Sequence, residues 1–251
     1  MIRARGAALA AAAITVASVL AGCVAPAAGP APEPTPRVVT DTEAELLAVV
    51  RFNNFDAGAR SISADLDDRG HALHLDGWVD YTTHTGVALL SVDGAHDRVL
   101  VWDGALVATS PVTSEELASS SSSLPPIPES VEGWAATKLD AAAAPLHALL
   151  VVLASLGADR PENPLLLRQG GALWLREDAV DGEPVTVFAG PSSSAAEGAI
   201  DPAAASVRYW IAESGLLRRL EVRLGDEWAD VVLGDAGDVT VPKLLDEAVS
   251  G

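Results

Sequence analysis

The feature that most constrains the fold of this chain is an alternation of apolar and polar residues that recurs along much of its length. The segment from His71 to Thr82 alternates in this way, which is the period of a strand with one buried face. Further strands are predicted at 87–92, 98–102, 105–109, 172–176, 185–189, 207–212, 216–224 and 228–233. Asp-Gly and Ser-Gly pairs between several of them have hairpin chemistry. The sequence therefore predicts a large antiparallel sheet with few helices.

Two segments predict helices instead of strands. The first runs from Thr40 to Phe55, with Thr40 or Asp41 as its cap and apolar residues on one face. The second begins at Asp140 and ends at Gly157, and it accepts Pro145 only in its first turn or as a break. This second helix is apolar nearly all round and too short to cross a bilayer. It must be covered by the sheet, by a partner or by a bound apolar molecule.

The chain is predicted to contain three segments. Residues 1–22 have a positive start at Arg3 and Arg5 followed by an apolar stretch, which is typical of a signal peptide. Residues 23–37 are rich in proline and alanine, a composition that favours an extended tether. Residues 38–251 have the length and apolar content of one domain, interrupted by two Ser/Pro/Ala-rich insertions at 114–130 and 190–205.

Cys23 is the only cysteine and closes the segment Leu20-Ala21-Gly22-Cys23. These four residues resemble a bacterial lipobox, which implies cleavage before Cys23 and a diacyl group on its thiol. Two acyl chains hold a protein stably on a membrane, whereas one chain is marginal. The resemblance implies a lipid anchor on the extracytoplasmic face of the cell membrane. An ordinary signal peptide followed by an incidental cysteine is the alternative.

The charge and the motifs argue against several classes of function. A net charge of −19 disfavours nucleic acid as a partner and indicates a solvated acidic surface. His71 and His74 are three residues apart on a predicted strand and point to opposite faces, so we expect no shared metal. The chain has no nucleophile elbow, phosphate loop or dinucleotide fingerprint. We expect no cofactor and no enzymatic activity.

The last fifth of the chain carries a family resemblance. Residues 207–220 contain a strand, a turn, Gly215-Leu216, arginines and a returning strand, and 235–242 complete the pattern. Together with the lipobox and the order of elements, they resemble actinobacterial cell-envelope lipoproteins of the LppX/LprG type, which share the fold of the lipoprotein carrier LolA. The resemblance implies an α+β fold: a strongly curved antiparallel half-barrel, covered on its concave side by a few helices. Between them it implies a hydrophobic cavity that holds acyl chains.

This resemblance implies that the protein binds or carries a lipid or lipoglycan. The expected ligand contacts are the apolar residues near the concave face, namely Trp102, Leu149, Leu150, Leu153 and Trp210. Tyr209 and Trp210 point to opposite faces of one strand, so one of the two must leave the main core. The alternative function is a regulatory or interaction lipoprotein that uses the same fold to bind an envelope protein. A cavity filled with Trp and Leu side chains would favour that alternative.

Overall fold

The structure, a computed structural model, describes residues 34–111, 127–192, 200–242 and 244. The predicted signal peptide, Cys23, most of the predicted tether and parts of both predicted insertions lie outside the described residues. The described helices are α1 Asp41–Ala48, α2 Val50–Ala57, α3 Pro145–Ser155 and α4 Pro164–Gln169, with a 3-10 turn at Pro202–Ala204. The strands are β1 Arg37–Val38, β2 Ala59–Asp68, β3 His71–Asp80, β4 Thr85–Val92, β5 Ala95–Trp102, β6 Leu106–Pro111, β7 Ala135–Lys138, β8 Leu173–Val180, β9 Glu183–Ala189, β10 Val207–Ala212, β11 Leu217–Leu224 and β12 Glu227–Gly237.

All of these strands form one antiparallel sheet, in the order β1-β8-β9-β10-β11-β12-β2-β3-β4-β5-β6-β7. Most neighbours are consecutive hairpins, and the pairing of β12 with β2 joins the two halves of the sheet. The sheet is not closed, because β1 and β7 are its edges. The prediction of a large antiparallel sheet with few helices is confirmed. Alternation along the sequence does not predict β1, β2 or β7.

The first helical segment begins where the sequence predicted. The Thr40 hydroxyl accepts a hydrogen bond from the Glu43 amide at 3.3 Å, and the Glu43 carboxylate accepts one from the Thr40 amide at 2.8 Å. This reciprocal pair is a capping box, and it satisfies two amides at the helix start. The segment is divided at Val49 into α1 and α2 and ends at Gly58, whose φ of 73° suits glycine.

The second predicted helix starts later than the sequence suggested. The Asp140 carboxylate accepts a hydrogen bond from the Ala142 amide at 3.0 Å and stabilises a turn rather than a helix. Ala144, which precedes a proline, is extended, and Pro145 is the first residue of α3. The predicted start at Asp140 is therefore wrong, because Pro145 sets the start of the helix and excludes the preceding alanines from it.

The two faces of the sheet are covered by different parts of the chain. The inner face, which includes Ile62 and Leu75, packs against the helices in one continuous apolar cluster. The outer face carries two smaller clusters. One surrounds Trp210 on β8 to β10, and the other lies on β4 to β6 beneath Val131 and Val241 from irregular segments. The predicted helical cover thus lies on the inner face.

Candidate functional site

Four of the five predicted ligand contacts meet in the inner core. Trp102 ends β5, and Leu149, Leu150 and Leu153 lie on α3; all four are 0% exposed and belong to the same cluster. The Trp102 ring lies over Gly86 of β4, where a Cβ atom would be 2.1 Å from a ring carbon. These side chains are therefore packed against one another and against the sheet.

The structure separates Trp210 from those four residues. Tyr209 packs on the inner cluster, whereas Trp210 belongs to the outer cluster, so the expected split between the two is observed. The indole Nε1 of Trp210 donates to the Asp178 carboxylate at 3.0 Å. The guanidinium carbons of Arg219 and Arg176 lie 4.7 and 5.6 Å from the ring centroid. Trp210 is thus fixed by polar neighbours on the face away from α3.

A pocket of about 980 Å³ lies beside α2 and α4, and we call it the α2–α4 pocket. Phe55, Leu166 and Leu167 supply apolar surface to it, and Arg51, Arg160 and Glu162 supply charged groups. Leu167 also packs against the inner cluster, so the wall of the pocket is continuous with the main core. No sequence pattern predicts that these six residues form a site, although Phe55 ends the first predicted helix.

Contacts made by two side chains, Arg51 and His84, explain why the pocket has a fixed wall. Arg51 donates to the Ser155 carbonyl at 2.9 Å, to the Gly157 carbonyl at 3.2 Å and to the Glu162 carboxylate at 2.9 Å. The His84 Nδ1 lies 2.9 Å from the Ala154 carbonyl. Carbonyls at the end of a helix have no partner within the helix, so these two side chains stabilise the end of α3. The pocket is therefore built around the C-terminus of α3.

Charged groups near the pocket also affect Tyr209. The pKa of Tyr209 is raised to about 12, mainly by burial and to a smaller extent by the nearby Glu162 carboxylate, while Arg51 acts in the opposite direction. Its hydroxyl is therefore protonated at neutral pH. The inner face thus offers a neutral hydroxyl close to the wall of the pocket.

A buried polar network ties α2 to the sheet. Arg60, 1% exposed, donates to the Asn54 side-chain oxygen at 2.8 Å and to the Gly234 carbonyl at 2.8 Å. Asn54 in turn donates to the Leu156 carbonyl at 3.1 Å. Burial lowers the pKa of Arg60 from its ordinary value. The network joins α2, β2, β12 and the end of α3, and its hydrogen bonds are those of a structural support.

Two buried donors on the inner face differ from that network. Tyr81 and Trp102 are both 0% exposed. Among the described residues, neither the Tyr81 hydroxyl nor the Trp102 Nε1 has a hydrogen-bond partner. Burial raises the pKa of Tyr81, so its hydroxyl remains a donor. A buried donor without an acceptor costs about 1–3 kcal/mol, so these two groups are places where a bound oxygen atom would be stabilised.

Metal binding and membrane crossing have no support in the described part of the chain. No group of three or more His, Cys, Asp or Glu residues there is arranged to hold a metal ion. No helix among the described residues has both the length and the apolar character needed to cross a bilayer.

Comparisons with known proteins identify structural neighbours but no relative by sequence. No family model and no curated protein matches the chain. Among solved structures, the chain is similar to LprF from Mycobacterium bovis, with 11% identity, a TM-score of 0.45, and 82% of this chain and 99% of that chain covered. It is also similar to the lipoprotein LppX from Mycobacterium tuberculosis, with 14% identity, a TM-score of 0.41, and coverage of 78% and 98%. Both neighbours are mycobacterial lipoproteins of the LppX/LprG type that the sequence resemblance indicated. At these scores no argument about function rests on them.

Proposed function

We propose that this protein is an exported lipoprotein that is anchored through Cys23 to the extracytoplasmic face of the cell membrane. On this proposal its single domain, residues 38–251, binds a lipid or lipoglycan by the acyl chains. The lipobox-like segment supports the anchor. The α2–α4 pocket supports the binding function, and no catalytic step is involved.

The observation that carries the lipid-binding proposal is the continuity of the pocket with the apolar core. A volume of about 980 Å³ is in the range of pockets that bury small ligands. Phe55 and Leu167 offer apolar surface inside it, while Arg51, Arg160 and Glu162 lie where a polar headgroup would remain hydrated. Acyl chains need only non-directional burial, which contributes about 25 cal/mol per Å². Binding and release are therefore passive.

The predicted contacts Trp102, Leu149, Leu150 and Leu153 form the deeper part of the proposed site. Because they are packed against one another, a chain that reaches them requires α3 to move away from the sheet. An ester or hydroxyl oxygen of the ligand would then accept from the Trp102 Nε1 or from the Tyr81 hydroxyl. Trp210 lies on the other face of the sheet and has no part in this proposal.

The test is native mass spectrometry with lipid extraction on the mature chain produced in an actinobacterial host. We expect a co-purifying lipid at a stoichiometric level. Leu167→Gln, which places a polar group in the pocket wall, should reduce the bound fraction. Leu106→Gln is the matched control, because Leu106 is also half-buried but belongs to the outer face. Equal loss in both variants would show that the pocket is not the lipid site.

The complete packing of the inner core favours a second candidate function, a lipoprotein that binds an envelope protein. Leu149, Leu150 and Leu153 leave no exposed surface on their side of α3. A mass without bound lipid, together with failure to take up a fluorescent fatty acid, would overturn the carrier function. Capture of a specific membrane protein by the anchored chain would then support the second candidate.

A further inference from the structure

Strongly exposed large apolar side chains are few in the described part of the chain, and their positions are not random. They are Val38, Leu165, Leu166 and Ile200, with 47%, 54%, 62% and 52% of their surface exposed. Leu165 and Leu166 are adjacent on α4. Val38 lies in β1, directly after the predicted tether. Three of the four therefore belong to α4 or to the point where the tether enters the domain.

Hydrogen bonds connect α4 to that entry point. The Val39 amide donates to the Ala172 carbonyl at 3.3 Å, and the Ala172 amide donates to the Leu167 carbonyl at 3.2 Å. An ion pair between Arg168 of α4 and Asp41 of α1 adds a second link. The exposed leucines are thus held on the part of the domain that the tether would bring to the membrane.

Three carboxylates on this part of the surface are paired with arginines, although the protein as a whole is acidic. Arg37 pairs with Glu43 at 2.7 Å and Arg51 with Glu162 at 2.9 Å, in addition to the pair between Arg168 and Asp41. The whole chain has a net charge of −19, so an anionic lipid surface repels most of it. A face whose carboxylates are neutralised can approach such a surface with less repulsion.

We propose that α4 docks on the membrane that carries the lipid anchor, with Leu165 and Leu166 entering the headgroup region. Because Leu166 also lines the α2–α4 pocket, docking places the pocket entrance against the lipid. Between Cys23 and Arg37 an extended tether reaches at most about 45 Å, which keeps the domain close to the bilayer. This inference rests on the proposed function, since it names the surface from which the same pocket takes its lipid.

The first test uses the mature, acylated chain in vesicles of phosphatidylglycerol and phosphatidylethanolamine. Leu166→Cys carries an environment-sensitive fluorophore, and Asp65→Cys is the control. Asp65 is exposed and lies between the inner-face residues Ala64 and Leu66, so it points to the outer face. Wild-type protein serves as the labelling blank, because the proposed acylation consumes the Cys23 thiol.

Docking predicts that lipid-borne nitroxides quench the label at position 166 about threefold more than the label at position 65, while aqueous iodide shows the reverse order. Equal quenching at both positions would overturn the inference. The same labels can be measured in native membranes to which nitroxide lipids have been added. If the label at position 166 is shielded from iodide but is not quenched by the nitroxide lipids, a protein covers this face, and the inference is wrong.

A second test separates this inference from the proposed function. The Leu165→Gln variant should take up a fluorescent lipid from vesicles about tenfold more slowly than wild type. The same variant should take up the lipid from detergent micelles at the wild-type rate, because that uptake needs no docking on a bilayer. If wild-type protein takes up lipid from neither source, the lipid-binding function is wrong. If both proteins take up lipid equally from both sources, only the docking is wrong.

Discussion

The inner and outer faces of the sheet are formed by the same strands but are stabilised in different ways. The inner face has one continuous apolar cluster beneath four helices. The outer face has two small clusters, separated by a charged stretch in which Arg219 pairs with Asp230 at 2.6 Å and His74 lies between Asp65 and Asp76. Alternation along each strand creates both faces, and the covering segments determine their chemistry.

Trp102 and Trp210 show what this difference means for a buried side chain. Both are almost completely buried, at 0% and 1% exposed. The Trp210 indole donates to Asp178 and lies against two arginines, whereas the Trp102 indole has no acceptor among the described residues. The outer face satisfies its aromatic residue internally. The inner face leaves a donor without an acceptor among the described residues, and an oxygen atom of a ligand or of a water molecule would satisfy it.

The largest expected difference between the faces concerns leucine packing. Leu153→Ala on the inner face should lower the free energy of unfolding by about 3–4 kcal/mol, because it leaves a cavity in a fully packed core. Leu106→Ala on the outer face removes a half-buried side chain and should cost about 1 kcal/mol. Urea denaturation of both variants measures the difference.

Equal losses for the two leucine variants would contradict the distinction between the faces. A loss below about 1 kcal/mol for Leu153→Ala would indicate an adaptable lining rather than a packed core. That result would strengthen the proposal that α3 moves to admit an acyl chain.

Two glycines, one on each face of the sheet, differ in how much room a methyl group would have. At Gly86 a new Cβ would be 2.1 Å from the ring of Trp102, which is fully buried and cannot move aside. Gly86→Ala should therefore cost about 3 kcal/mol. At Gly237 the new Cβ would be 2.4 Å from the ring tip of Trp78, which is half-buried and can shift. Gly237→Ala should cost about 1 kcal/mol.

Thermal or urea unfolding of both alanine variants provides the measurement, and near-ultraviolet circular dichroism reports the tryptophan environment. A larger loss for Gly237→Ala than for Gly86→Ala would show that the outer cluster is the more rigid one. The inner face would then not be the more rigidly packed of the two faces.

Alternation predicts β3 but not β2, and the two strands differ in which residues occupy their inner positions. β3 has Leu73, Leu75 and Val79 at its inner positions, so alternation reveals it. β2 has Arg60 and Ala64 at inner positions, and a charged or small residue there hides the period. Arg60 is tolerated only because Asn54 and two backbone carbonyls of β12 satisfy it. That information is tertiary and has no local signal.

The same limit applies to the candidate site. The apolar character of α3 was sufficient to predict that its leucines are covered. Alternation also required Tyr209 and Trp210 to separate, but it could not decide which residue faces the helices. Arg51 and Glu162 of the pocket are 111 positions apart in the sequence. They meet because α2 packs against the loop between α3 and α4, which contains Glu162. No motif in the sequence predicts that contact.

A smaller effect is expected from the clamp on Trp210. Asp178→Ala removes the acceptor of the indole N–H and should lower stability by about 1 kcal/mol. Asp178→Asn keeps a side-chain oxygen as acceptor and should retain most of that stability. The shift in urea midpoint and the tryptophan emission of the two variants provide the measurements. If asparagine costs as much as alanine, the contribution of Asp178 is its charge beside Arg176 and not the hydrogen bond.

The smallest expected effect is a pH dependence confined to the outer face. Partial burial lowers the pKa of His74, but hydrogen bonds to Asp65 and Asp76 more than offset this, so that its pKa lies above the ordinary value. Since the folded protein binds this proton more tightly, the stabilisation is complete below about pH 6.5 and is lost as pH rises through the folded pKa. His74 is 39% exposed, so the effect should stay below about 1 kcal/mol. Urea midpoints from about pH 5.5 to pH 8.5 for wild type and His74→Gln measure it. The difference between the two proteins should shrink as pH rises, and a difference that grows with pH would show that His74 is stabilised in its neutral form.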